Sequence, residues 1–260
     1  MHGSITFVPM LGFFTLLAKE IQRFLKVPLQ TVFAPMMTTL LFLAIFTLAF
    51  GGERGHESGV PFSTFLAPGL IMMSVIQNAF ANTSSSIVIS KVQGNIVDLL
   101  MPPLTSLELT LAISLAGLAR GLVVAVAVAT CMYFFVDLSV HNWFAVLYFL
   151  VAAGLMLSLL GMIGGIISDK FDHMAAVTNF VIMPLSFLSG TFYSVERLSG
   201  IWYELSHLNP FFYMIDGFRY GFLGTSDSEI LKGALVVGLL DLFLFAVVWF
   251  MLGRGFKLKA

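Results

Sequence analysis

Charged positions along this chain fall in short clusters, and between them lie stretches apolar enough and long enough to cross a bilayer. A spanning helix needs about 20 mostly apolar residues. The intervals nearly free of Asp, Glu, Lys and Arg place six such helices at about 29–50, 62–89, 107–135, 143–167, 174–195 and 233–252. The expected fold is therefore an all-α membrane protein, a single transmembrane domain over residues 1–260. Ahead of the first span, residues 13–26 carry a polar stripe at Thr15, Lys19, Gln22 and Lys26. Phe13, Leu17, Ile21 and Phe24 occupy the other face. That spacing predicts an amphipathic helix lying in a headgroup layer, with its basic residues on anionic lipid.

The connection between the second and third spans reads KVQGNIVDLLMPPLTSLE. Val92, Ile96, Leu99 and Leu100 form one apolar edge, opposite Lys91, Asn95 and Asp98. Pro102-Pro103 stops a helix, and Thr105 with Glu108 three residues on makes a capping box that starts the third span. This segment fits either a docking element or an ordinary interfacial loop. Between the last two spans, Ile201, Trp202, Phe211, Phe212, Phe218 and Phe222 crowd a segment too aromatic for a solvated loop. Short helices dipping into the outer leaflet would bury them.

Composition agrees with the periodicity: 58% of the 260 residues are hydrophobic and 10% charged, against about 25% charged in an average soluble domain. Net charge is −1, so placement carries the information. With both termini cytoplasmic, the inner segments hold Lys19, Arg23, Lys26, Lys91, Lys170, Arg254, Lys257 and Lys259. The outer ones hold Arg54, Arg197, Arg219 and Lys232, outnumbered by acidic residues. The excess of cytoplasmic Lys and Arg favours N-in, C-in. Nothing in this distribution suggests a nucleic-acid partner.

The search for chemistry excludes more than it finds. No G-x-x-x-x-G-K-[ST] is present to cradle ATP phosphates, nor H-E-x-x-H, nor G-x-S-x-G. The single cysteine, Cys131, precludes an internal disulfide, and the five histidines share no metal-ligand spacing. The chain is expected to be no enzyme and to hold no metal or cofactor of its own. Ionisable residues within spans are functional suspects, and Arg120 and Asp241 qualify. Both fall near the middle of a hydrocarbon core about 30 Å thick, which predicts an Arg120–Asp241 ion pair fixing helix packing. The second span carries Gln77, Asn78, Asn82, Thr83, Ser84, Ser85 and Ser86. These need polar partners, as interhelical hydrogen bonds or as the lining of a pathway by Gln77, Asn78 and Asn82. Gly117-x-x-x-Gly121 and Gly161-x-x-x-Gly165 allow close helix contact. Pro184 should kink the fifth span, and Pro68-Gly69 should break or bend the start of the second.

Three stretches together resemble ABC-2 type permeases: Gly94 through Pro102-Pro103 with Thr105 and Glu108, then PLSFLSGTFYSVERL at 184–198, then LNPFFYMIDGFRYGFLG at 208–224. The resemblance extends over essentially the whole chain and leans toward the drug and nodulation-factor exporter branch. It implies a homodimer or pseudo-dimer bound to two cytoplasmic ABC ATPase subunits, which hold ATP and magnesium, in a bacterial inner membrane. It further implies a coupling helix at about 91–101, involving Val92, Gly94, Ile96, Leu99 and Leu100 and ending at Pro102 and Pro103. Re-entrant helices would fall at about 201–208 and 211–222. An outer gate would draw on Ser189, Gly190, Asn209, Pro210, Phe211, Phe212, Asp216 and Arg219. The exit path would lie at the dimer interface, lined by spans one, two and five. One departure is Ser199-Gly200, where the family often has Pro, which leaves the start of the outer helix open. The implied function is ATP-driven export of an amphiphilic, lipid-, drug- or glycan-like substrate; the alternative is an ion-gradient-driven secondary transporter.

Overall fold

The computed structural model describes residues 11–50, 56, 57, 59–97 and 103–257. Six helices are long and apolar enough to cross a membrane. Helix α1 (Leu11–Leu25) precedes them. The spans are α2 (Leu29–Phe50), α3 (Phe62–Val92), α4 (Ser106–Met132), α5 (Trp143–Ile167), α6 (Phe171–Leu188) and α9 (Ile230–Arg254). Between the last two stand α7 (Ile201–Leu208) and α8 (Pro210–Leu223). A two-residue hairpin, β1 (His56–Glu57) on β2 (Val60–Pro61), is the only strand pairing among the described residues.

Helix α3 is the axis of the molecule. It packs against α2, α4, α5 and α8, and the core built on it includes Leu66, Leu70, Ile76, Val124, Phe149 and Phe218. Small residues set the seam. A Cβ at Gly161 would meet Thr83 Oγ1 and lie 2.5 Å from the Phe80 carbonyl oxygen, and one at Gly165 would lie 2.9 Å from Ile87. With backbones this close, Thr83 Oγ1 donates to the Ser158 carbonyl at 2.7 Å. A second cluster at the other end joins Phe13 and Leu16 of α1 to Ile87, Ile96, Ile113 and Ile166. In contrast, α2, α6 and α9 are mostly exposed, with Leu48 85%, Phe180 82% and Leu231 74% accessible. Apolar surface on that scale requires lipid or another membrane chain.

Several helix ends differ from those read off hydropathy, each for a local reason. Helix α3 passes through Pro68 unbroken and runs on to Val92. It stops at Gln93-Gly94, where Gly94 adopts φ +74°, a left-handed terminator. Helix α4 ends at Met132, because Phe134 and Phe135 donate to the carbonyls three residues back and tighten the chain out of the helix. It begins as the capping box requires: Thr105 Oγ1 accepts from Glu108 N, and Thr105 N donates to Glu108 Oε2 at 2.8 Å. Helix α6 ends at Leu188, short of 195, since the hydroxyls of Ser189 and Thr191 both donate to the Ser186 carbonyl and Gly190 turns the chain at φ +75°. Pro184 acts upstream: residues Thr178–Ile182 widen into a π turn just before it. Leu29–Phe33 do the same ahead of Pro35 in α2. One inserted residue of this kind relieves the missing proline N–H and the ring's clash with the preceding turn.

Helix α1 is amphipathic, but more than a surface float. Phe13, Leu16, Glu20 and Phe24 are buried, and Glu20 is only 3% exposed. Its carboxylate accepts from Arg23 Nε at 3.0 Å and from Ser86 Oγ at 2.8 Å. Arg23 also donates to the carbonyl and side-chain oxygens of Asn82 and to Ser85 Oγ. The polar run of α3 thus receives α1.

Candidate functional site

The second half of that polar run serves helix contacts; the first half faces open space. Gln77 and Asn78 line an open-sided cavity of about 360 Å³ among α2, α3, α4 and α6, with Gln30, Thr38, Arg120 and Thr178 on its other walls. A hydrogen-bond chain crosses three spans along one side. Arg120 donates to Asn78 Oδ1 at 2.9 Å, Asn78 Nδ2 donates to the Ser74 carbonyl at 3.0 Å, and the hydroxyls of Ser74 and Thr39 meet at 2.6 Å. Asn82 is turned away from this space and is held by Arg23. Two larger cavities, about 510 and 520 Å³, are walled mainly by hydrocarbon: one by α2 with Phe135 and Val136, the other between α4, α5 and α8. The smaller cavity is thus the one of the three whose lining carries amides, hydroxyls and a guanidinium.

Arg120 and Asp241 do not form the expected ion pair. Equal depth says nothing about the direction a side chain takes around its helix. Arg120 leaves α4 on the side facing α3 and reaches Asn78. Asp241 sits on α9, which lies against α5 at this level: Tyr148 donates to the Ala234 carbonyl at 2.7 Å, and a Cβ at Gly238 would stand 2.9 Å from its hydroxyl oxygen. Asp241 Oδ1 is buried without a hydrogen-bond partner among the described residues.

At the end of the bundle away from α1, local sequence fixes the junction of α6 with α8. Asn209 caps α8, its Oδ1 accepting from Phe211 N at 3.0 Å, with Pro210 at the first helical position where no donor is needed. Its Nδ2 donates to the Leu185 carbonyl in α6 at 2.7 Å. Arg219 is 3% exposed, donates to the Gly190 carbonyl at 2.7 Å and lies 3.9 Å over the Phe65 ring. A Cβ at Gly69 would lie 2.7 Å from the Thr191 carbonyl oxygen, so α3 comes directly against this turn. Asp216 accepts from Asp227 N, Ser228 N and Ser228 Oγ. Burial pushes its carboxyl pKa up, against the pull of those donors and of Arg219. Asp227 in turn accepts from Ser194 Oγ and Val195 N. The residues singled out here, Ser189, Gly190, Asn209, Pro210, Asp216 and Arg219, are thus gathered at one junction. Phe211 and Phe212 are buried in the core at 2% and 1% exposure. In this conformation neither ring faces a path, and the exposed aromatics are Trp202 and Tyr203 of α7.

Of the apolar edge expected over 91–101, the described residues show Val92 and Ile96 in different surroundings. Val92 ends α3 and is exposed, whereas Ile96, beyond the Gly94 turn, is buried beside α1 and α4. Leu99, Leu100 and Pro102 lie outside the described residues, as do Arg54 and Lys259; Pro103 leads into the Thr105 cap. Lys91 supplies a contact that the sequence reading missed. Its ammonium donates to the carbonyls of Ile166 and Ser168, both at 2.8 Å, and to Asp169 at 3.1 Å. It closes the C-terminus of α5, where a cation is favoured. The hydrogen bond and charge of Lys91 hold the exposed Asp169 carboxyl below its usual range. Glu20 was also missed. Its signal was present in the spacing, because position 20 falls in the middle of the apolar stripe formed by Phe13, Leu16, Leu17 and Phe24.

Six apolar helices packed on α3, with a polar cavity lined by α2, α3, α4 and α6 and two short helices against one end, make a multi-pass membrane bundle, and family comparison says which kind. The family model described as ABC-2 type transporter matches residues 12–223, and the chain belongs to that family. It is 41% identical over 245 residues to the inner membrane transport permease YadH of Escherichia coli (strain K12), covering 94% of this chain and 95% of that protein. It is also similar to nodulation protein J of Neorhizobium galegae, at 27% identity over 199 residues with 71% and 72% covered. The corresponding protein of Rhizobium meliloti (strain 1021) is 25% identical over 242 residues, with 88% and 86% covered. The chain is a multi-pass inner-membrane protein of transport-permease type.

Proposed function

We propose that this chain is the membrane-spanning half of an ATP-driven exporter, moving an amphiphilic lipid-, drug- or glycan-like cargo out of the cytoplasm. Two copies form the pathway, and two cytoplasmic ABC ATPase subunits supply ATP and magnesium. Both termini face the cytoplasm. Membership of the ABC-2 family and the lack of a P-loop in this sequence support a motor encoded separately. The observation that carries the reading is the polar cavity between α2, α3, α4 and α6, in spans whose outward surfaces are otherwise hydrocarbon.

The motor's movement enters at residues 91–103. Ile96 anchors this segment in the cluster shared with α1, and Lys91 ties its beginning to the end of α5. A displacement there is delivered to the α3–α5 seam as a unit. Two arrangements of the pair alternate, and cargo shifts their balance only through unequal affinity for them. The α7–α8 junction closes the outer end. The test is co-purification with candidate ABC ATPase subunits from the same organism, followed by hydrolysis measured against a panel of lipids, drugs and glycans. Association and cargo-stimulated hydrolysis are expected. Uphill transport by the permease alone, driven by an ion gradient, would refute the proposal.

A further inference from the structure

The cavity at Arg120 has an imbalance that the hydrogen-bond chain does not resolve. Its lining offers a guanidinium, amides and hydroxyls but no carboxylate. Arg120 spends one nitrogen on Asn78, while its Nε is buried with no acceptor among the described residues. Gln77 Nε2, on the same cavity, is likewise a buried donor without an acceptor. The orientation of Asn78 is fixed by its own two bonds, oxygen to Arg120 and nitrogen to Ser74. It therefore cannot supply the missing acceptor.

Neighbouring charges do not supply it either. Arg23 stands within electrostatic reach of Arg120. The nearby acid, Glu20, is already shared between Arg23 and Ser86. Asp241, the acid of matching depth, faces another neighbour. An arginine held at this depth without a counter-ion is costly, and a site with surplus donors is complementary to a ligand that brings acceptors and negative charge.

We infer that this cavity binds the anionic headgroup, phosphate or carboxylate, of an amphiphile, with Arg120 as its counter-ion and Asn78 orienting the guanidinium. This deepens the proposed function by naming the polar end of the cargo, and it rests on that reading only for the word cargo. Binding by the isolated permease needs no ATPase, so failure here and failure of the ATP-driven reading are separate results.

The experiment is calorimetric titration of the purified full-length chain in maltoside micelles. The probes are dodecyl phosphate, dodecyltrimethylammonium and inorganic phosphate. Saturable binding of dodecyl phosphate is expected, with no comparable binding of the cationic amphiphile. Arg120→Gln should weaken it roughly tenfold or more, the loss of a charged hydrogen-bond partner. Arg120→Lys, which keeps the charge but loses the fork, should fall between the two. Gel filtration and melting temperature establish that each variant is folded. Equal binding by a folded Arg120→Gln chain overturns the inference, as does equal binding of both amphiphiles by the unmutated chain, an arm that depends on no variant. If inorganic phosphate binds as tightly as dodecyl phosphate, the ligand is a free anion and the amphiphile assignment is overturned.

Discussion

The junction of α1 with α3 offers a sharp test of the structure, because its two charged members are unequally placed. Glu20 has a side chain 4% exposed and Arg23 one 29% exposed, with 3.0 Å between the charged atoms. Arg23→Ala leaves the Glu20 carboxylate buried with Ser86 Oγ as its remaining donor. Orphaning a buried charge costs about 3–5 kcal/mol. Glu20→Gln removes the opposite charge, but Arg23 keeps Asn82 O, Asn82 Oδ1 and Ser85 Oγ as acceptors and retains access to solvent. Its cost should be nearer 1.5–3 kcal/mol, the range for one hydrogen bond to a charged group. Replacing both partners with apolar residues, Glu20→Leu with Arg23→Met, removes the orphan and should recover much of the loss. The assay is thermal unfolding of the purified chain in detergent. A cost of 3–5 kcal/mol corresponds to a melting temperature roughly 6–20 °C lower, at about 2–4 °C per kcal/mol for domains of 150–250 residues. Limited proteolysis would report release of α1. If Arg23→Ala melts within a degree of the unmutated chain, or if Glu20→Gln is the more damaging change, this account of the junction is wrong.

Three further outcomes are expected. Gly161→Val, which drives a side chain into Thr83 Oγ1 and the Phe80 carbonyl, should cost at least the 1–3 kcal/mol typical of overpacking; a variant as heat-stable as the parent would contradict the seam. Thr83→Ala should cost only about 0.6–1.7 kcal/mol, the range for interhelical hydrogen bonds in membranes, read by the same melting assay. Asp169, whose folded carboxyl lies below its ordinary value because of Lys91, contributes stability that is fully present above the unfolded pKa of about 3.9 and is lost as pH falls through the lowered folded value. Melting temperatures recorded from pH 6 downward should therefore drop more steeply below pH ~4 for the unmutated chain than for Asp169→Asn. Parallel curves would show that this pair does nothing.

The long apolar helices were legible in the sequence, whereas azimuth was not. Hydropathy located all the spans because burying backbone in hydrocarbon forces long uninterrupted apolar helices, and the Thr105–Glu108 cap was readable because its partners are three residues apart. Arg120 and Asp241 were matched by depth alone and turned out to address different neighbours, a distinction set by how α4 and α9 rotate against the bundle. Gln77 and Asn78 were read as polar residues needing partners; Asn78 has them in Ser74 and Arg120, whereas Gln77 Nε2 has none among the described residues. That Asn82 would serve Arg23 while Asn78 serves Arg120 depends on α1 docking, which no periodicity within α3 encodes. The helix ends at 132 and 188 shifted for the same kind of reason, since side-chain and tight-turn hydrogen bonds outcompeted continued hydrophobicity.

The tight fit along Gly161 and Gly165 has a mechanical consequence. Two rods touching backbone to backbone have no clearance for sliding; even a fractional-turn slip of α5 past α3 would force carbonyl oxygen against main-chain carbon. That pair is the keel of the molecule. On the proposed transport cycle, movement falls to α2, α6 and α9, the helices held least closely, about that pair.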